Sequence, residues 1–185
     1  VPTSTYRLQL HAGFTFTQAA ELTDYLAELG VGALYASPML QAAPGSNHGY
    51  DVVDPTRAST ERGGEQGRRQ MVAAVRAAGL GLLVDIVPNH VGVAVPTANP
   101  WWSDVLVHGR DSAYATYFDI DWAAGPLLLP VLGAASEADE DADLERLEVV
   151  RDEHGYPGLR YYEHLFPVAH GSADHGSPRE VHARQ

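Results

Sequence analysis

An α/β fold with a parallel sheet is what this chain predicts, on three observations. Strand-like and helix-like segments alternate, in the order strand, helix, strand, helix, strand. Each helix meets the next strand through a short glycine turn, Leu29-Gly30-Val31-Gly32 in one case and Ala78-Gly79-Leu80-Gly81 in the other. Long polar loops follow the strands. Short helix-to-strand turns of this kind predict right-handed βαβ crossovers and hence parallel neighbours. A doubly wound sheet and a (β/α)8 barrel both begin this way.

The first strand is Thr5-Tyr6-Arg7-Leu8-Gln9-Leu10, alternating and rich in strand formers, closed by His11-Ala12-Gly13. From Thr17, a plausible N-cap, the segment to Leu29 sets Leu22, Tyr25, Leu26 and Leu29 at helical spacing, with Gly30 as the expected C′ residue. Val31 to Ser37 is a short apolar strand ended by Pro38, and a loop rich in Gly, Pro, Ser and Asn runs to Tyr50. A second helix is expected over Glu65 to Ala78, with Met71, Val75 and Ala78 on one face and Gly79 ending it. It leads into Leu82-Leu83-Val84-Asp85-Ile86-Val87-Pro88-Asn89-His90, an apolar run broken by one carboxylate and stopped by Pro-Asn-His. That run reads as a buried parallel strand whose C-terminal end carries polar groups into a site.

Beyond His90 the character changes. Asn99-Pro100-Trp101-Trp102 and Tyr114 to Trp122 are dense in aromatics, Gly125 to Gly133 is apolar, and Ser136 to Glu148 is acidic, read as a solvated face. Leu147 to Val150 and Leu159 to Tyr162 read as a hairpin. The expected division is therefore residues 1–90, the first β/α units, and residues 91–185, an irregular, partly β subdomain inserted after the third strand. The polar end, Pro178 to Gln185, is expected to enter a helix. With no initiator Met and a helix starting as the chain stops, the 185 residues are expected to be an N-terminal piece of a longer fold.

Composition narrows the partners. The 24 acidic and 12 basic residues leave a net charge of −12, which speaks against nucleic acid and anionic membrane surfaces. A neutral, hydroxyl-rich ligand stays compatible. Cysteine is absent, which fits a reducing compartment, and no apolar run approaches a membrane span or a signal peptide, so a cytoplasmic location is expected. No glycine-rich phosphate cradle follows the first strand, and no nucleotide cofactor is expected.

Two constellations could carry chemistry. In Gly45-Ser46-Asn47-His48-Gly49-Tyr50-Asp51-Val52-Val53-Asp54, a tyrosine held between a glycine and a polar loop can offer a flat ring to a sugar, with His and Asp bonding its hydroxyls. The same segment also reads as a well-made turn with capping acids. At the second, Asp85 inside an apolar strand needs either a partner or a task; Asn89, four residues on in an extended segment, is expected to project on the same side, and His90 follows at the mouth. A metal site of Asp85, Asn89 and His90 is disfavoured, since no H-x-H or H-E-x-x-H accompanies them. The Trp101-Trp102 pair reads as a packing anchor before a stacking surface. His154, His164, His170 and His175 have no assigned role.

His48-Gly49-Tyr50 followed by Asp54, then Asp85-Ile86-Val87-Pro88-Asn89-His90 after the third strand, then an irregular insertion, resembles the α-amylase family of glycoside hydrolases and transglycosylases. Within that family, Ser4 to Leu10, Leu34-Tyr35-Ala36-Ser37-Pro38, Gly45 to Val52, Asn99 to Trp102 and Tyr117-Phe118-Asp119-Ile120-Asp121-Trp122 are similar to a subgroup of intramolecular transglucosylases. The resemblance implies a (β/α)8 barrel, of which this chain would hold three strands and two helices. It implies that Tyr50 stacks on glucose, His90 bonds its primary hydroxyl and His48 lines the site. Asp85, Asp51, Asp54 and Asn89 would support it, Asp85 by holding an arginine later in the chain. The implied reaction is retaining and moves the reducing-end α-1,4 linkage of a maltooligosaccharide to an α,α-1,1 linkage, without metal or cofactor. The nucleophile and acid/base would lie beyond Gln185, so none of Asp119, Asp121 or Glu163 is given that role. An α-glucan hydrolase and a non-catalytic sugar-binding module remain as alternatives.

Overall fold

The computed structural model describes residues 2–125, 127–132, 143–152, 154–169, 171–173 and 176–182. The chain divides into two compact units, Val1–Val93 and Ala94–Gln185. In the first, the order is β1 (Thr5–Leu8), α1 (Phe16–Glu21), α2 (Thr23–Glu28), β2 (Ala33–Ala36), β3 (Leu40–Ala42), β4 (Val52–Ala58), α3 (Gly64–Ala77) and β5 (Gly81–Val84).

The expected parallel sheet is present, in the order β1-β2-β5. Leu8 lies level with Ala36, and Ala36 with Val84. The ladder continues one residue further, with the Ser37 amide donating to the Leu8 carbonyl at 3.1 Å and the Asp85 amide to the Ala36 carbonyl at 2.9 Å. It stops there because the next donor on the central strand would be residue 38, a proline without an N–H. The three C-terminal ends therefore finish level, and Gln9, Ser37 and Asp85 leave the sheet along one edge.

Two expectations need correction here. The run from Leu82 to His90 is a strand only to Val84, and it is not buried on both faces. It forms the sheet's outer edge, with Leu83 45% and Ile86 67% exposed. With residues 86–90 beyond the ladder, Asp85 and Asn89 do not project from one strand face as expected. The first helix is also two helices meeting at Leu22, and its N-cap is Thr15 rather than Thr17. The Thr15 amide donates to Gln18 Oε1 at 2.8 Å, which starts the helix a half-turn early and turns Phe16 into the core. The buried face is Phe16, Ala19, Thr23 and Leu26, while Tyr25 and Leu29 stand 56% and 54% exposed. α1 packs so closely on α3 that a Cβ on Gly67 would sit 3.4 Å from the Phe16 Cβ.

The loop expected between Pro38 and Tyr50 contains more structure than periodicity indicates. β3 and β4 form an antiparallel ribbon pairing Gln41 with Asp54 and Ala42 with Val52, with register shifts beside each pair. Those irregularities, and Pro55 inside β4, erase the alternation that marks a strand. The second helix falls within a residue of its expected bounds, burying Gly67, Met71 and Val75, with Gly79 at φ +73° after it. At its start Glu65 accepts from Arg68 at 2.6 and 2.7 Å and from Arg69 at 2.9 Å. These bonds hold its carboxyl down to about 2.

Arg62, between β4 and α3, is 1% exposed and the largest fully buried side chain among the described residues. Its Nε donates to the Leu10 carbonyl at 3.0 Å, Nη1 to those of Pro38 at 3.0 Å and Leu40 at 3.4 Å, and Nη2 to that of Ser46 at 3.3 Å. Loops that follow β1, β2 and β3 are thus fastened to one guanidinium. The core beneath joins Leu8, Leu10, Phe16, Leu26, Leu34 and Met71.

In the second unit, α4 (Pro100–His108) is capped by the buried Asn99, whose side chain accepts from the Trp101 and Trp102 amides at 3.1 and 3.0 Å. Both tryptophans pack internally: Trp101 stacks on Tyr114 at 5.7 Å, and Trp102 lies 5.0 Å from Phe118. The expected hairpin is β6 (Glu148–Arg151) and β7 (Pro157–Tyr161), and β8 (His164–Pro167) extends it to an antiparallel meander. The last helix, α5 (Pro178–His182), contributes Val181 to a small core with Leu159 and Val168. Most of the acidic stretch, together with His170 and His175, lies outside the described residues.

Two outcomes follow for stability. Arg62→Met removes the donor to four carbonyls and should lower unfolding free energy by about 2 kcal/mol, read as a lower urea midpoint. Glu65 has a depressed folded pKa, so its contribution is complete above its ordinary value of 4.5 and fades as pH falls toward about 2. The midpoint gap between the wild type and Glu65→Gln should therefore close over that window.

Candidate active site

Where the parallel strands end, two of the sequence-level constellations meet. The Tyr50 hydroxyl donates to Asp85 Oδ2 at 2.7 Å. The Arg7 Nη2 donates to the same phenolic oxygen at 3.1 Å and lies 3.5 Å from Asp85 Oδ2. The bond to Asp85 holds the Tyr50 phenol above its ordinary value, so it remains a donor across the neutral range. The expensive acid in the apolar run thus has partners, a tyrosine hydroxyl and an arginine, both from its own unit.

His90 also comes to Tyr50. Its Nε2 lies 3.1 Å from the Tyr50 carbonyl and its Nδ1 3.0 Å from Asn89 Oδ1. A carbonyl can only accept, so Nε2 carries a proton. A neutral His90 then meets Asn89 through the amide nitrogen, after a flip of that amide; an imidazolium meets the oxygen. Either way Asn89 orients the His90 ring, and both ring nitrogens are engaged within the unit.

The loop carrying Tyr50 is built from its own polar groups. Ser46 Oγ donates to Asp51 Oδ1 at 2.5 Å and accepts from the Gly49 amide at 3.1 Å. His48 Nδ1 accepts from the Tyr50 amide at 3.1 Å, which puts the proton of a neutral ring on Nε2. Asp51 Oδ1 stands 3.8 Å from that same Nδ1, an atom already accepting, so no ion pair forms between neutral His48 and Asp51. The His48 and Tyr50 rings lie 6.0 Å apart at 16°. Gly49 is required twice over: its φ is +83°, and a Cβ would sit 2.8 Å from Arg62 Nη2.

Asp54 stands apart from this cluster. It accepts from the Thr56 amide and hydroxyl at 2.9 and 2.6 Å and from Arg57 Nε at 2.7 Å. Burial pushes its carboxyl up, and the bonds from Thr56 and Arg57 outweigh that and hold it below the ordinary range. In the structure it is a turn-forming acid of β4. Three residues of the cluster have no counterpart in the sequence reading: Arg7, Gln9 and Arg62. The first two carried a signal, since they alternate on one face of the first strand at its C-terminal end. Arg62 carried none.

Beside Asp85, a cleft of about 710 Å³ is lined by Met39, Leu40, Ala58, Val84, Ile86 and Val87. Among the described residues no group of three or more His, Cys, Asp or Glu could hold a metal ion, and no helix is long and apolar enough to cross a membrane.

The Alpha-amylase family, described as "Alpha amylase, catalytic domain", matches residues 19–130. The solved maltooligosyltrehalose synthase from Arthrobacter ramosus is 51% identical, with a TM-score of 0.89, covering 100% of this chain and 23% of its own. A Mycobacterium tuberculosis protein named for maltooligosyl trehalose synthase activity is 50% identical over 98% of this chain and 23% of its own length. The intracellular maltogenic amylase of Bacillus subtilis is 35% identical over 52% of this chain and 16% of its own length. The chain thus spans about a quarter of the length of the relatives it matches throughout. With the matched stretch holding both the Tyr50 loop and the run from Asp85 to His90, the chain belongs to the α-amylase family.

Proposed function

We propose that this chain is part of a maltooligosyl trehalose synthase, an enzyme that moves the reducing-end α-1,4 linkage of a maltooligosaccharide to an α,α-1,1 linkage. The observation that carries this reading is coverage. Relatives named for that activity match essentially the whole chain at about half identity, whereas the maltogenic amylase matches about half of it.

In this reading the first unit opens a (β/α)8 barrel, and residues 91–185 are a subdomain inserted after its third parallel strand. The site lies at the C-terminal ends of the strands, where barrel enzymes place their chemistry. The Tyr50 ring would stack on the apolar face of the glucose at the bond to be broken. His90 and His48 would bond its hydroxyls, His90 after exchanging a present partner for the sugar. Asp85 would keep Tyr50 in place through Oδ2 and hold a further arginine through its other oxygen. The exposed edge of β5 and the apolar cleft beside it fit burial by a later part of the barrel.

The two catalytic carboxylates would come from sequence beyond these 185 residues. One attacks the anomeric carbon while the other, as an acid, protonates the departing oxygen. The freed glucose then returns through its anomeric hydroxyl, and the covalent bond to the enzyme breaks as the 1,1 linkage forms. Excluding water during that exchange separates isomerisation from hydrolysis. A second reading, an α-glucan hydrolase, is favoured by the family match over residues 19–130, which includes Tyr50, Asp85 and His90.

Incubating the whole protein with maltopentaose decides between them. The synthase yields a non-reducing product of unchanged mass, and a hydrolase yields new reducing ends. Tyr50→Ala and Asp85→Asn should each lower kcat/KM by about 10- to 100-fold, since misplacing the sugar by an ångström costs that much. The 185 residues alone should show no turnover on the same substrate, and measurable product from them would contradict the assignment of the carboxylates.

A further inference from the structure

We propose that Arg7, steadied by Gln9, is a positioning residue for Tyr50 and thereby sets how the enzyme-bound maltooligosyl group is divided between the released glucose and water; this rests on the function proposed above. Arg7 and Gln9 alternate along the first strand and its end, so they project to one side. Arg7 Nη1 donates to Gln9 Oε1 at 2.8 Å, while Nη2 donates to Tyr50 Oη at 3.1 Å. Gln9 Nε2 passes the contact on to the carbonyls of Asn47 at 3.0 Å and His48 at 3.2 Å. The guanidinium lies 5.5 Å from the centroid of the Tyr35 ring, on the neighbouring strand. One strand therefore grips the loop at residues 47–48 and again at Tyr50.

The grip has a directional consequence. The phenolic oxygen donates to Asp85 and accepts from Arg7, and two bonds in different directions fix the ring's tilt. Take away Arg7, and the ring keeps one bond about which it can pivot.

In either outcome the anomeric carbon gains a new C–O bond, its bond to the enzyme carboxylate breaks, and the incoming hydroxyl's proton passes to the general base. Only the acceptor differs. A loosened Tyr50 ring would let the sugar it stacks on shift, and the freed glucose would lose its line of attack on the anomeric carbon while mobile water would not.

The test uses the whole protein on maltopentaose, with kcat, KM, melting temperature and the ratio of non-reducing product to free glucose measured for the wild type, Arg7→Met and Arg7→Lys. Arg7→Met should lower the ratio by about fivefold or more, because effective molarity of the retained glucose falls with its positioning. Arg7→Lys should fall between, since one ammonium cannot reproduce the two-nitrogen fork to Tyr50 and Gln9. The ratio does not depend on how much enzyme is folded, so a loss of stability alone leaves it unchanged. Arg7→Met, or Arg7→Lys where the first does not fold, with a wild-type ratio overturns the proposal. A wild type that makes no non-reducing product instead overturns the proposed function, and the two failures are told apart by the wild-type reaction alone.

Discussion

The site side of the first unit depends on one buried cation. Arg62 has almost no contact with solvent and forms no direct ion pair among the described residues, so its charge is carried by backbone carbonyls in place of water. Burial pulls its pKa down, and the more distant charges of Asp51 and Glu61 act against that pull. Those carbonyls belong to segments that follow successive strands. The guanidinium therefore sets the distance between loops that no regular element connects, and Gly49 is compelled to leave room for it. A neutral side chain of the same size would fill the space and leave the carbonyls unanswered.

Built on that anchor, the cluster around Tyr50 is a chain of donors and acceptors with little slack. Arg7 donates to Tyr50, Tyr50 donates to Asp85, and the Tyr50 carbonyl receives His90. Every strand of the parallel sheet has a residue near this point: Arg7 and Gln9 from β1, Ser37 after β2 and Asp85 after β5. Ser37 works below the surface, its Oγ accepting from the Leu10 amide at 2.8 Å, which turns the chain out of β1. Level strand ends make this convergence possible, and parallel pairing in register makes the ends level.

The second unit holds itself together differently. Its aromatic residues pack on each other around a capped helix, with Tyr117 set edge-on to both Trp101 and Tyr114. Its meander turns between β7 and β8 at Tyr162, a non-glycine residue at φ +51°, a backbone conformation that side chains other than glycine resist. The Tyr162 ring rests on Tyr161 at 4.7 Å and under the Arg146 guanidinium at 5.4 Å, contacts that offset the cost.

What the sequence determined by itself was whatever depends on neighbours along the chain. Alternation and helical spacing identified the three parallel strands and the helix after β4, and the glycine turns located their junctions, because φ near +80° at Gly30 and Gly79 is a local demand. The Tyr50 loop and the run from Asp85 to His90 were also legible as polar groups at strand ends. Tertiary structure decided the rest. It shortened β5 because Pro38, just beyond the neighbouring β2, has no proton to give. It buried Phe16, Ala19 and Leu26 and left Tyr25 and Leu29 exposed, because the face a helix turns inward is set by what packs against it, which helical spacing alone does not say. It sent Asp54 to Thr56 and Arg57, brought Arg7 across 43 residues to Tyr50, and buried Arg62 among carbonyls from three loops. Those partners are far apart in sequence, and only the folded chain sets the few ångströms between them.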